Sequence, residues 1–185
     1  MINMALYLNT PFEETTADVL IIPISRHGNC PTGGIHERVI SRFHADYCTD
    51  YFNAVKDGEI RLNIPRAFYV REEPGAGSWI IGIPVLEPGE QMVEGYSLTT
   101  AFRHAFELCA YYGIDTVAVP YFEDVHWSVS VQEAFLEYAE RTWLVAHHIE
   151  LWIYTETDQE ESKSTADNDA MYRTTIEIAC EMETE

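Results

Sequence analysis

Apolar runs of strand length alternate along the chain with segments in which apolar residues recur at helical spacing. Residues 4–8 form the first strand candidate, and residues 19–24 are apolar on both faces, as a central strand would be. Further strands are predicted at residues 67–70, 79–83, 116–120 and 149–154. The alternation predicts an α/β sandwich around a mostly parallel sheet.

Helices are predicted between these strands. The clearest covers residues 95–112, where the apolar residues form one stripe and Gly113 follows at the position of a C-terminal cap. Another is predicted to begin at Ser130, because Ser130 and Glu133 have capping-box spacing. Two shorter helices are predicted at residues 35–43 and 51–55.

Composition changes after Thr155, which divides the chain into a main domain at residues 1–155 and a tail. Residues 156–170 are polar and acidic and are predicted to be a flexible linker. Apolar and polar residues then alternate over residues 171–183, the period of a half-buried C-terminal β-strand. We expect this strand to pair with a sheet edge of its own chain or of a partner chain, which would give a homodimer.

The charge of the chain excludes several classes of function. Its 185 residues contain 31 acidic and 11 basic side chains, a formal net charge of -20, so direct binding to nucleic acid is not expected. The longest apolar run, residues 19–24, is far shorter than the roughly 20 residues of a membrane span. No secretory signal is visible, which predicts a cytoplasmic protein, and the small acidic chain would suit a phage-encoded or mobile-element protein.

The four cysteines are widely spaced at positions 30, 48, 109 and 180, so they predict reduced thiols rather than a metal site. No metal and no cofactor is predicted.

Acidic residues are spread over the chain, with a net charge of -8 after Thr155 and -12 in residues 1–155. Three interpretations of this acidic surface are open: it increases solubility, it attracts a basic protein, or it imitates a nucleic acid.

One local motif has a chemical mechanism. Residues 22–36 run from a strand through a glycine-containing loop, with Ser25, Gly33 and Gly34, into a helix. Free backbone N–H groups and the positive end of the helix dipole suit a phosphate or diphosphate there, although a pair of glycines before a helix is also an ordinary turn. The spacing is neither Gly-x-Gly-x-x-Gly nor that of a Walker loop.

Four segments together, residues 17–22, 32–40, 58–62 and 112–120, resemble a macro domain in their order and sequence. The resemblance is nearest to the ADP-ribosylglutamate hydrolase and antitoxin branch, and it covers residues 4–155. It implies a three-layer α/β/α sandwich with a mixed, mostly parallel sheet. It also implies a cleft at the carboxyl ends of the strands that binds ADP-ribose or an ADP-ribosylated macromolecule. Whether the chain is an enzyme stays open; if it is, the resemblance implies an ADP-ribosyl hydrolase.

The resemblance also places ligand-binding residues. The first loop matches at Gly33, Gly34 and Ile35, and Asn9 falls near the adenine-reading position without being acidic. The second loop, after Pro120, contains no glycine where the family has several. Together with the first motif, the predicted ligand-binding residues are Asn9, Ser25, Gly33, Gly34, Ile35, His36, Tyr121, Phe122 and Asp124.

Other chemistry in these loops is less specific. His36 with Glu37, and His126 with Asp124, are candidates for acid–base catalysis on water. Trp127 is predicted to lie on the second loop, where it could stack on a base or ribose together with Tyr121 and Phe122. Residues 84–87 lack the catalytic lysine of the glutamate-specific branch.

Two functions therefore compete. The first is binding of ADP-ribose or a related nucleotide, with or without hydrolysis. The second is an acidic interaction protein, an inhibitor or nucleic-acid mimic that has kept the fold and lost the pocket.

Overall fold

A computed structural model of the chain describes residues 3–8, 12, 15–29, 34–42, 44–73, 76–87, 89–121, 125–142 and 149–155. The predicted linker and C-terminal strand lie outside these ranges and stay predictions. Six strands and four helices follow one another as β1 (Asn3–Leu8), β2 (Val19–Ile24), α1 (Ile35–Arg42), α2 (His44–Lys56), β3 (Arg66–Glu73), β4 (Ala76–Pro84), α3 (Leu98–Tyr111), β5 (Thr116–Pro120), α4 (Val125–Thr142) and β6 (Glu150–Thr155).

The strands form one sheet in the order β1-β6-β5-β2-β4-β3. Every neighbouring pair is parallel except β3 and β4, which form an antiparallel hairpin. The central strand β2 is apolar and almost entirely buried along its length, as its sequence predicts. The mixed, mostly parallel sheet is confirmed.

Two apolar cores lie on opposite faces of this sheet. On one face, Val39 of α1 and Tyr47 and Tyr51 of α2 pack against the even-numbered residues of β2. On the other face, α3 and α4 pack against Val19 and Ile21 of the same strand. Because alternate residues of a strand point to opposite faces, one apolar strand supplies both cores. The three-layer α/β/α sandwich is confirmed.

Helix α3 shows how closely the apolar stripe predicts an element. Ser97 caps its amino end by accepting a hydrogen bond from the Thr100 backbone N–H at 3.2 Å. Gly113 follows its carboxyl end with a φ of 67°, the left-handed conformation that glycine adopts without strain. The predicted helix at residues 95–112 is thus correct to within three residues.

Two helix boundaries were predicted wrongly. Helix α2 begins at His44, seven residues before the predicted start at residue 51. Helix α4 begins at Val125, so Ser130 and Glu133 lie inside the helix rather than at its cap.

Among the described helices, none combines the length and the apolar character that a membrane span requires. The two described cysteines, Cys48 and Cys109, are free.

Candidate ligand cleft at the carboxyl edge of the sheet

The five parallel strands end at the same edge of the sheet, which we call the carboxyl edge. After β2 the chain passes to α1 and α2 on one face, and after β5 it passes to α4 on the other. Adjacent parallel strands whose connections leave in opposite directions create a crevice between their loops, where ligands of open α/β sheets bind. Strands β2 and β5 meet this condition, so the topology predicts a crevice beside their carboxyl ends.

Pairing between β2 and β5 is short. It consists of two registered pairs at the amino ends of the strands, Val19 with Val117 and Leu20 with Ala118. The ladder between β2 and β4, by contrast, runs through six pairs. The carboxyl halves of β2 and β5 are therefore the least tightly joined neighbours in the centre of the sheet.

Two prolines explain this short ladder. The Ile24 carbonyl accepts a hydrogen bond from the loop after β4, so the backbone of the preceding residue, Pro23, faces β5. The Tyr121 N–H donates to β6, so Pro120 faces β2 by the same alternation. Proline has no N–H, and each strand thus lacks a donor on the side that faces the other. We call this region the β2–β5 junction.

Ser25 organises the loop that follows β2. Its side chain is buried, and its Oγ donates a hydrogen bond to a carboxylate oxygen of Glu87, in the loop after β4. The same Oγ accepts the backbone N–H groups of His27 at 2.9 Å and Asn29 at 3.1 Å. Its carbonyl accepts the Tyr51 hydroxyl at 2.8 Å. Ser25 therefore fixes the loop to its neighbour, to itself and to α2.

A second set of contacts joins the same two loops. Arg26 Nη2 lies 2.5 Å from Glu90 Oε1, and the exposed His27 ring donates to the same oxygen at 3.1 Å. The other oxygen of Glu90 accepts the Glu87 backbone N–H at 2.7 Å. Asn29 Nδ2 donates to Glu87 Oε2 at 2.5 Å. We call the set of Ser25, Arg26, His27, Asn29, Glu87 and Glu90 the loop clamp.

The clamp keeps both of its carboxylates ionised. The hydroxyl of Ser25, and after it Asn29 and the charge of His27, hold the pKa of Glu87 below its ordinary value. The Glu87 backbone N–H and the His27 and Arg26 side chains lower the pKa of Glu90. A hydrogen bond to the charged form of an acid favours that form, so both side chains act here as hydrogen-bond acceptors.

Most of the clamp was missed in the sequence. Of its members, the sequence predicts only Ser25 as a ligand-binding residue. Residues 84–87 are singled out in the sequence only because they lack a catalytic lysine, and Glu87 and Glu90 are not predicted to bind anything. The charges of the two loops do, however, contain a sequence signal for the clamp. Two glutamates three residues apart follow β4, and Arg26 and His27 follow β2, so parallel pairing of these strands would bring opposite charges together.

The start of α1 borders the crevice. Gly34 and Ile35 are half-buried, and the Gly34 carbonyl accepts the Arg38 N–H at 3.2 Å, the first bond of the helix. Gly34 therefore occupies the N-cap position, and the N–H groups of the first turn are those that have no partner within a helix. These groups and the helix dipole favour an anion at this end.

His36 lies beneath this turn in the core. Its ring is 5% exposed, and its Nε2 is 2.8 Å from the Tyr47 hydroxyl. The Tyr51 ring meets it edge-on at 4.8 Å between centroids. Burial lowers the pKa of His36 to about 4, so the imidazole is neutral at pH 7. The described contacts of His36 join α1 to α2, and its ligand contact stays a prediction.

On the other side of the crevice, Tyr121 directly follows β5. It is half-buried, and its N–H donates to the Tyr154 carbonyl at 2.7 Å. The prediction that Trp127 lies on this loop is wrong. Trp127 belongs to α4 and is 3% exposed; its Nε1 donates to the Pro120 carbonyl at 2.9 Å. Its indole packs edge-on against Phe102, so the ring belongs to the core.

The structure thus brings Ser25, Gly34, Ile35 and Tyr121 to the carboxyl edge, with the buried His36 below. The other predicted site residues, Asn9, Gly33, Phe122 and Asp124, lie outside the described residues. Among the residues that are described, no three His, Cys, Asp or Glu side chains are grouped so that they could hold a metal ion.

Solved structures share this architecture. No protein-family model and no curated protein sequence matches the chain. The macrodomain of Mycobacterium tuberculosis DarG is 18% identical, with a TM-score of 0.63 over 83% of this chain and 98% of that one. An Oceanobacillus iheyensis macrodomain is 12% identical, with a TM-score of 0.62 over 91% of this chain and 93% of that one.

A third structure was solved with a ligand. Thermosipho africanus DarTG in complex with ADP-ribose is 20% identical, with a TM-score of 0.57 over 85% of this chain and 42% of that one. The three structures agree with the resemblance found in the sequence and with the sheet described above. The chain has the macrodomain fold.

Proposed function

We propose that the crevice at the carboxyl edge binds ADP-ribose or a related nucleotide, either free or attached to a macromolecule. The observation that carries the proposal is the opening of α1 beside the β2–β5 junction, on a fold that a protein solved with ADP-ribose shares. A diphosphate fits the first turn of α1, because the backbone N–H groups there are donors and the helix dipole favours negative charge.

The electrostatics of the clamp are compatible with an anionic ligand. Glu87 and Glu90 are ionised, but their oxygens accept bonds from Ser25, Asn29 and Arg26, so part of their charge is compensated. The clamp also fixes the conformation of residues 25–29, the described part of the loop after β2, before a ligand arrives. A loop that is already ordered loses less conformational entropy when a ligand binds, which favours binding.

Calorimetric titration with ADP-ribose tests the proposal directly. We expect saturable binding with a dissociation constant in the micromolar range, about -8 kcal/mol. Titrations with AMP and with ribose 5-phosphate separate the contribution of each half of the ligand. Incubation of the same preparation with an ADP-ribosylated protein, followed by mass spectrometry, tests for hydrolysis.

Gly34→Val is the informative variant, because a branched side chain at the N-cap position would occupy the space in front of the first turn of α1. We expect at least a tenfold loss of affinity, or about 1.4 kcal/mol. Ser41→Val is the matched control, since it puts the same side chain on an exposed position of the same helix. Equal affinity in both variants, or no binding by the unmodified protein, would contradict the proposal.

A further inference from the structure

Four aromatic side chains form a continuous row at the amino edge of the sheet, opposite the cleft. The Tyr69 and Trp79 rings lie 5.0 Å apart between centroids, and Trp79 stacks on Tyr112 at 4.4 Å with 23° between their planes. Tyr111 meets Tyr112 edge-on at 5.1 Å. We call Tyr69, Trp79, Tyr111 and Tyr112 the aromatic row.

Most of this row is open to solvent. Tyr111 is 81% exposed, more than any other large apolar side chain that the structure describes, and Tyr112 and Tyr69 are 43% and 46% exposed. Trp79 is half-buried and packs against the core beneath them. Adjoining aromatic rings that remain exposed are typical of protein interaction sites, where Trp and Tyr supply much of the binding energy.

The four side chains of the aromatic row come from three elements, β3, β4 and the end of α3, which the fold brings together. Tyr69 lies opposite Trp79 in the β3–β4 hairpin, and the two consecutive tyrosines end α3 where Gly113 turns the chain away. Strand β2, which separates the two edges of the sheet, has six residues and spans about 20 Å. A partner at the aromatic row would therefore leave the cleft accessible.

Acidic residues flank the row. Glu107 is exposed and lies one turn before Tyr111 on the same face of α3, whereas the Asp18 carboxylate accepts hydrogen bonds from the Thr116 N–H at 3.0 Å and hydroxyl at 2.8 Å. Asp115 is exposed three residues after Tyr112 and directly precedes β5. Residues 1–155 alone carry a net charge of -12, and the field of this unit therefore attracts cations.

We propose that the aromatic row and its flanking acids bind an arginine-containing basic segment of a partner protein. A guanidinium group stacks on the exposed face of a tyrosine and pairs with a carboxylate at the same time, which suits Arg better than Lys. The carboxylates steer the segment to the surface, and the rings select the side chain. This surface is distinct from the cleft and does not depend on nucleotide binding.

Two peptides of equal charge test the proposal on the full chain. Fluorescently labelled hexa-arginine and hexalysine are titrated by anisotropy at about 50 mM salt, where screening is moderate. We expect hexa-arginine to bind at least fivefold more tightly, because both exposed tyrosines can stack on guanidinium groups. We also expect both affinities to fall as salt is raised.

Variants of the two tyrosines test whether the difference in affinity between hexa-arginine and hexalysine depends on the aromatic row. Tyr111→Ala/Tyr112→Ala is expected to lower the affinity for hexa-arginine about five- to thirtyfold, to the level of hexalysine, while hexalysine binding changes little. Tyr111→Ala alone removes the most exposed ring and keeps the Trp79 stack, so it provides a variant with an intact core. Phe52→Ala is the matched control, because Phe52 is 43% exposed, as is Tyr112. Asp115→Asn is expected to weaken both peptides alike.

Three outcomes would overturn the proposal. The first is equal affinity for the two peptides, and the second is an unchanged hexa-arginine affinity in both tyrosine variants. The third is an equal loss in Phe52→Ala. Any of these would mean that the acidic surface attracts cations without a defined site at the row. Competition is a separate, fourth test: a saturating concentration of ADP-ribose must leave hexa-arginine binding unchanged, and displacement of the peptide would place it in the cleft and also overturn the proposal.

Discussion

Replacing Ser25 by Ala would remove the central hydroxyl of the loop clamp. The substitution deletes one oxygen atom and leaves the backbone of the loop as it is. It removes one hydrogen bond to the Glu87 carboxylate and two from the backbone N–H groups of His27 and Asn29. The carbonyl bond from Tyr51 is retained, so α2 stays attached to the loop.

The magnitude follows from these three bonds. A hydrogen bond to a charged group contributes about 1.5–3 kcal/mol and a neutral one about 0.5–1.5 kcal/mol. Because Glu87 is only partly buried and water can replace Ser25 at several of these groups, we discount the sum to a loss of about 2–3 kcal/mol in unfolding free energy. For a domain of this size, that lowers the melting temperature by about 4–12 °C.

Urea unfolding of both proteins at pH 7 measures the loss. Ser41→Ala is the matched control, since the Ser41 hydroxyl donates to the Glu37 carbonyl within one helix and is exposed; we expect a change below about 0.5 kcal/mol. A double-mutant cycle of Ser25→Ala with Glu87→Gln isolates the bond that joins the two loops, and its coupling energy should reach about 1 kcal/mol.

The loss also depends on pH in a defined direction. The folded state lowers the pKa of Glu87, so this carboxylate stabilises the fold above its unfolded pKa and less as pH falls through the folded pKa. The difference between the unmodified protein and Ser25→Ala should therefore be greatest near neutrality and decrease below about pH 4. A difference within 0.5 kcal/mol of zero at pH 7, or one that grows in acid, would refute this account of the clamp.

Two further predictions concern buried groups. His36 should titrate in the folded protein with a midpoint of about 4 in an NMR experiment, and its share of the stability should be lost as pH falls from about 6.5 to about 4, because the unfolded state takes up the proton first. A midpoint near 6.5 would show that the ring is solvated. In Gly82→Ala, the new Cβ would lie 2.5 Å from Ile24 Cδ1 within a closed core, so we expect a loss of about 1–3 kcal/mol in denaturant unfolding. Ile24→Val should recover part of it, and a neutral Gly82→Ala would disprove the overpacking.

The sequence predicts the sheet well because burial leaves a pattern in every strand. β2 and β5 are apolar on both faces, and the α3 stripe continues until Gly113 ends it. The start of α4 was mistaken because Ser130 and Glu133 imitate a cap. The apolar positions continue upstream of Ser130 to Trp127, four residues before Val131, and packing of this stripe on α3 places the whole segment in a helix.

The loop clamp could not be found in the same way. Ser25 and Glu87 are 62 residues apart in the chain, and only the register that pairs Ile24 with Pro84 brings their loops together. Neither hydrophobic period nor local motif carries that information. The aromatic row has the same origin, since Tyr69, Trp79 and Tyr112 come from three separate elements. Chemistry that depends on register becomes visible only when the strand order is known.

The two prolines of the β2–β5 junction also bear on how the domain folds. On one side of the junction, β2, β3 and β4 belong to one continuous stretch of chain, in which Val19 pairs with Trp79. On the other side, β1 must meet β6 across most of the domain, with Asn3 opposite Glu150. The first half closes the shorter loop at the lower entropic cost, so we expect its amides to acquire protection from hydrogen exchange first. The weak ladder between the halves would make this junction the boundary between two cooperative folding units, with the crevice at that boundary.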